Sequence, residues 1–152
     1  MLIPLFPRMR LYVSGAWAHR HAVRRLVAKL EAAGHTITYD WTRAGVPGVP
    51  QPRTDAAITG IKLRRIAAAS LAGIQAADAF VALMDHPTYP YRGTLSELGV
   101  AIGAGVPVFI LTKGVHLTPE ATYTRVALWH LVGSTVVTKG RELRAALARL
   151  RV

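Results

Sequence analysis

Short apolar runs alternate with amphipathic helical stretches along the chain, and this alternation leaves few folds open. Arg10–Leu11–Tyr12–Val13–Ser14, Ala79–Phe80–Val81–Ala82–Leu83, Val106–Leu111 and Ser134–Val137 have the length and composition of strands. His35–Tyr39 alternates Ile37 and Tyr39 with Thr36 and Thr38 and reads as another. Between them, His19–Ala33 repeats Val23, Leu26, Val27 and Leu30 at i, i+3, i+4 and i+7, a helix that Gly34 ends. Ala57–Ala76 predicts a second helix with Leu63, Ile66, Ala67, Leu71 and Ile74 inward. Thr94–Ala104 predicts a third, and Gly140–Leu150 a last one resting on Leu143, Leu147 and Leu150. Glu120–Leu131 reads as a short helix, and the proline-rich Ala44–Thr54 as a long loop of the kind that forms lids or binding loops. The expected fold is a single-domain, Rossmann-like α/β three-layer structure, with a parallel sheet of about five strands between helices. Residues 1–8 read as an N-terminal extension, disordered or non-native, and 9–152 as the domain.

Composition narrows the function classes. Hydrophobic residues make up 51% and charged residues 18%, so the 152 residues can bury one core rather than remain disordered. There is no cysteine, which removes disulfides and cysteine-ligated metal. No apolar run reaches the roughly 18 residues of a membrane span, and a cytoplasmic protein with no membrane partner is expected. The net charge of +11 invites an anionic partner, a phosphorylated small molecule or a nucleic acid. Arg20, Arg24, Arg25 and Lys29 fall on the first helix, Lys62, Arg64 and Arg65 on the second, and Arg141, Arg144, Arg149 and Arg151 at the last. That spread looks like several solvated faces rather than one groove, which makes nucleic acid the weakest of these partners.

Parallel sheets bind ligands beyond the carboxyl ends of their strands. Here those ends are Ser14–Gly15–Ala16–Trp17, Asp40–Trp41–Thr42, Met84–Asp85 and Thr112–Lys113. With only eight acidic residues, each acid near these ends is informative. Glu97 follows Gly93 on the third helix and has two readings. Thr94-x-x-Glu97 is a capping box at a helix start, and a carboxylate there is also a nucleophile that the helix dipole keeps ionised. Gly93 would let a ligand approach the backbone, and Gly99 and Gly103 would let the helix lie close to the sheet. Asp78 is either a helix-ending acid or an acid/base at a pocket floor. Tyr12 needs a partner for its hydroxyl if buried, and a carboxylate would serve. Trp17 and Trp41 are either ordinary packing or the walls for a flat ring. The Ser14–Gly15–Ala16 turn offers amides to an anion, with His19, Arg20 and Arg92 adding positive charge. His86, His116 and His130 lack metal-ligand spacing, so no metal is assigned.

These features together resemble the nucleoside 2-deoxyribosyltransferase superfamily, which includes the 2′-deoxynucleoside 5′-monophosphate N-hydrolases, from about Met9 to Val137. The residues that carry the resemblance are Leu11–Trp17, Ala77–Asp78, and Gly93–Thr94–Leu95–Ser96–Glu97–Leu98–Gly99 with the Ala-Gly-Val-Pro-Val that follows. The resemblance implies that Glu97 attacks the anomeric carbon, Tyr12 holds that carboxylate, Asp78 protonates the leaving base and Trp17 borders it. Ser14, Gly15, Ala16, Arg20, Trp41, Asp85, Tyr91, Arg92 and Gly93 are the expected substrate-binding residues. Tyr91 stands where the transferases carry an aspartate and the monophosphate hydrolases often a serine, so it and Arg92 fall where substrate class is set. The implied chemistry is cleavage or transfer at the N-glycosidic bond of a nucleoside or its 5′-monophosphate through a sugar–enzyme ester, with no metal or organic cofactor and with a homodimer or larger assembly. The alternatives are a nucleotide-binding sensor or defence module without turnover and, more weakly, a basic nucleic-acid binder.

Overall fold

The computed structural model describes residues 7–43, 60–114 and 134–150. The expected loop at Ala44–Thr54, the helix at Glu120–Leu131, His116, His130 and most of the N-terminal extension lie outside the described residues.

Five parallel strands form one sheet in the order β2-β1-β3-β4-β5, with β1 at Arg10–Gly15, β2 at Thr36–Ile37, β3 at Ala79–Leu83, β4 at Val108–Leu111 and β5 at Ser134–Val137. The helices are α1 at Arg20–Ala32, entered through a one-turn helix at Trp17–His19, then α2 at Gly60–Gln75, α3 at Arg92–Gly103 and α4 at Gly140–Arg149. The chain leaves β1 in one direction to reach β2 and crosses back to β3, so the connections reverse between β1 and β3 and open a crevice there.

Alternation along each strand sorts the core into two layers. Leu11, Val13, Val81, Leu83, Phe109 and Leu111 face α1 and α4, where Val23, Val27, Leu143 and Leu147 meet them. Tyr12, Phe80, Ala82, Met84, Val108 and Ile110 face the other way, against Ile74 and Ala77 at the end of α2 and Leu98 and Ala101 on α3.

Three elements differ from expectation. β2 spans two paired residues, because Asp40 accepts hydrogen bonds from the backbone N–H and hydroxyl of Thr42 and turns the chain away. α2 leaves Leu63 and Leu71 exposed, at 42% and 44%, and turns Ser70, Gly73 and Ile74 inward. Small residues bring this helix close to the sheet, whereas the expected face followed side-chain size. Gly99 and Gly103 do not serve close packing, since a Cβ on either would meet nothing within 4 Å.

Candidate active site

Tyr12 and Ser14 are two residues apart on β1 and therefore point to the same face, the one that α3 covers. Both are fully buried. Glu97 reaches them from α3, beside the inward-facing Thr94, Leu98 and Ala101. The Tyr12 hydroxyl donates to Oε1 of Glu97 at 2.7 Å, and the Ser14 hydroxyl donates to Oε2. Ser70, buried on α2, lies close to both Tyr12 and Glu97 and favours the ionised form of each. Two hydroxyls from β1 thus hold one carboxylate of α3, with a third hydroxyl from α2 close by.

The electrostatics follow from this enclosure. Burial raises the Glu97 carboxyl above its ordinary value, and the hydroxyls of Ser14, Tyr12 and Ser70 oppose the rise by favouring the ionised form. Burial first, then the Glu97 charge, drives the Tyr12 phenol far above its ordinary range, so it remains a donor. Tyr39 is also raised, by burial first and then by the charge of Glu97.

The capping-box reading of Glu97 does not survive. α3 begins at Arg92, two residues before Thr94, with Tyr91 as N-cap in the left-handed region at φ 48°. Glu97 therefore lies in the second turn, outside the reach of the helix-end charge, and it faces β1 instead of its own helix start.

Asp78 does not stand at the pocket floor. It precedes β3, opposite Arg10 at the amino edge of the sheet, whereas the Ser14–Trp17 turn leaves the carboxyl edge. Its carboxylate accepts from the Arg10 backbone N–H at 2.8 Å and from Arg10 Nη2 at 2.7 Å. The side-chain hydrogen bond from Arg10 leads in holding the Asp78 carboxyl below its usual range. This acid fastens two strand starts and does not join Glu97. Asp78→Ala is expected to destabilise the fold by about 1–2 kcal/mol, chiefly by leaving a backbone N–H without its acceptor, since the exposed guanidinium adds little. Chemical denaturation would read that loss, and turnover by the folded fraction should match wild type.

The other expected residues gather at the carboxyl edge. Trp17 and Trp41 stand with ring centroids 5.9 Å apart, and Trp41 Nε1 donates to Val13 O at 2.7 Å. The Arg20 guanidinium lies over the Trp17 ring at 5.2 Å. His19, after β1, stacks on His86, after β3, at 3.6 Å between ring centroids, joining the loops on the two sides of the crevice. Asp85 pairs with Lys113 at 3.0 Å. Tyr91 is buried in the core, where its hydroxyl accepts the His86 N–H at 3.0 Å and burial pushes its phenol up to about 12. It pins the β3–α3 loop, while Arg92 and Gly93 are exposed at the start of α3. Gly15 lacks a side chain because α1 is close: a Cβ there would lie 2.5 Å from Val23 Cγ2. Ala16 is buried beside it. Three of the buried side-chain polar atoms without a hydrogen-bond partner among the described residues, Trp17 Nε1, His19 Nδ1 and Thr94 Oγ1, lie near this edge.

Ser70 is not legible as a site residue in the sequence. A serine in an alanine-rich helix carries no motif. Its one signal was its place on the narrow small-residue face with Gly73, Ile74 and Ala77.

The fold and the site define a doubly wound α/β domain that holds one enclosed carboxylate beside its topological switch point. The family model of nucleoside 2-deoxyribosyltransferases matches residues 11–141, and the chain belongs to that family. The crystal structure of a conserved protein from Enterococcus faecalis V583 is similar in fold, with a TM-score of 0.62 at 20% identity, covering 93% of this chain and 98% of that one. No curated protein matches the chain. Among the described residues, no helix is long and apolar enough to cross a membrane.

Proposed function

We propose that the protein cleaves or exchanges the N-glycosidic bond of a 2′-deoxynucleoside or its 5′-monophosphate, with Glu97 as nucleophile. The observation that carries this reading is the Glu97 carboxylate held at Oε1 by Tyr12 and at Oε2 by Ser14. Hydroxyl donors fix the carboxylate's position and stabilise its charge, as attack on an anomeric carbon requires. In the first step a carboxylate oxygen bonds to the sugar C1′ and the C1′–N bond breaks, its electron pair leaving with the base, which takes up a proton. In the second step water or another nucleobase attacks C1′ and the ester bond breaks, returning the carboxylate. Asp85 and His86 follow the carboxyl end of β3 and, in this reading, stand in for Asp78 near the leaving base. Trp17 and Trp41 offer it an aromatic wall. The unpartnered polar atoms of Trp17, His19 and Thr94 support a polar ligand at this edge. The protein works as a homo-oligomer, and the exposed Leu63 and Leu71 of α2 give its partner an apolar surface.

The test is release of free base from a panel of nucleosides and 5′-monophosphates, with and without a second nucleobase. Exchange into the added base would identify a transferase, and release alone a hydrolase. No release from any member would leave a binding module in its place.

The acid limb of kcat/KM checks the role of Tyr12. The reaction needs ionised Glu97, so activity falls as pH drops through its folded pKa, which burial sets above the ordinary 4.5. Tyr12→Phe removes a donor that favours the ionised form. It should move the limb to higher pH and lower kcat by roughly 10- to 100-fold. A limb that stays in place or moves down would separate Tyr12 from Glu97.

A further inference from the structure

The cations of α1 and α4, which look dispersed along the sequence, meet at one groove. A cavity of about 160 Å³ lies between these helices, on the face of the sheet opposite Glu97. Its floor is apolar, from Leu26, Leu83 and Leu111. Arg25, Lys29, Lys113 and Arg144 also line it. Lys113 is engaged by Asp85, but among the described residues no carboxylate pairs with Arg25, Lys29 or Arg144. Cations that share a groove repel one another, and a doubly charged anion relieves that repulsion. Guanidinium groups favour phosphate oxygens, which they can bind in pairs. The leucine floor, in turn, favours a ligand with an apolar part, and the volume is about that of a single six-membered ring.

We infer that this groove is a second binding site, separate from the glycosidic site, for a phosphate monoester with a small apolar body. The ring lies on the leucines and the phosphate among the two arginines and the lysines. The inference does not depend on the reaction proposed for Glu97.

Titration calorimetry with phenyl phosphate tests it, with inorganic phosphate as the comparison. The expected result is saturable binding of phenyl phosphate at least tenfold tighter than that of inorganic phosphate, and unchanged in Glu97→Gln. Arg25→Glu/Arg144→Glu should weaken it at least tenfold, and Arg25→Gln/Arg144→Gln, which keeps side-chain bulk, by a smaller factor. Base release should be unaffected in both double variants. Equal binding of the two phosphates would reduce the groove to a charged surface and overturn the proposal. Binding that survives both double variants, disappears in Glu97→Gln, or does not saturate at millimolar ligand would overturn it as well.

Discussion

Glu97→Gln is expected to reduce base release by at least about 10³-fold, because the amide cannot form the sugar ester. The same substitution should raise the melting temperature at neutral pH. Burial raises the folded pKa of Glu97, so folding favours its protonated form. The stability this contributes is present below the unfolded value of 4.5 and is lost as pH rises through the folded pKa. Above its folded pKa the wild type holds a charge in a buried site, and the glutamine does not. Melting curves of the two proteins should therefore draw together near pH 4 and separate at pH 8 with the variant higher. A variant less stable than wild type at pH 8 would mean that Glu97 holds the fold together. A catalytic residue that costs stability is the expected trade at an active site.

Gly73→Ala should have the next largest effect. A Cβ at this position would stand 2.8 Å from Tyr39 Cβ and 3.1 Å from a ring carbon of Tyr12. Alanine favours a helix over glycine by about 1 kcal/mol, but overpacking costs about 1–3 kcal/mol, and a Cβ facing another Cβ cannot yield without moving backbone. The net result should be destabilisation of about 1–2 kcal/mol in a denaturant titration. Because the displaced ring is the one that holds Glu97, kcat should fall at least tenfold. Gly99→Ala is the contrast. A Cβ there meets open space, so that variant should be more stable than wild type by about 0.5–1 kcal/mol with activity intact. If Gly73→Ala behaves like Gly99→Ala, α2 does not position Tyr12.

Much of the fold was legible because its signals are periodic. Strands β1, β3, β4 and β5 and the inward faces of α1 and α4 follow from apolar spacing alone, since each buries large side chains against the sheet. α2 departs from that rule. Its buried surface is Ser70, Gly73 and Ile74, small enough for the helix to reach Tyr12, and so its larger leucines are left outside. The meeting of Tyr12 with Glu97 is what the resemblance implies, while the residues alone ask only for some carboxylate beside a buried hydroxyl. The place of Asp78 is not legible, because an acid before a strand looks the same whether it faces a ligand or fastens a neighbouring strand start. The position of Tyr91 before the glutamate suggests a substrate residue, whereas its buried ring and its hydroxyl's bond to the His86 backbone make it part of the scaffold. The convergence of Arg25, Lys29 and Arg144 depends on α1 and α4 packing on one face, which no local pattern encodes.

The most direct measurement is peptide mass spectrometry of the protein quenched in acid during turnover of a 2′-deoxynucleoside or its 5′-monophosphate. The mass of one sugar unit, with its phosphate where the substrate carries one, is expected on the peptide containing Glu97 and absent from Glu97→Gln. Base release at the wild-type rate by Glu97→Gln, or a sugar adduct on a different residue, would contradict it.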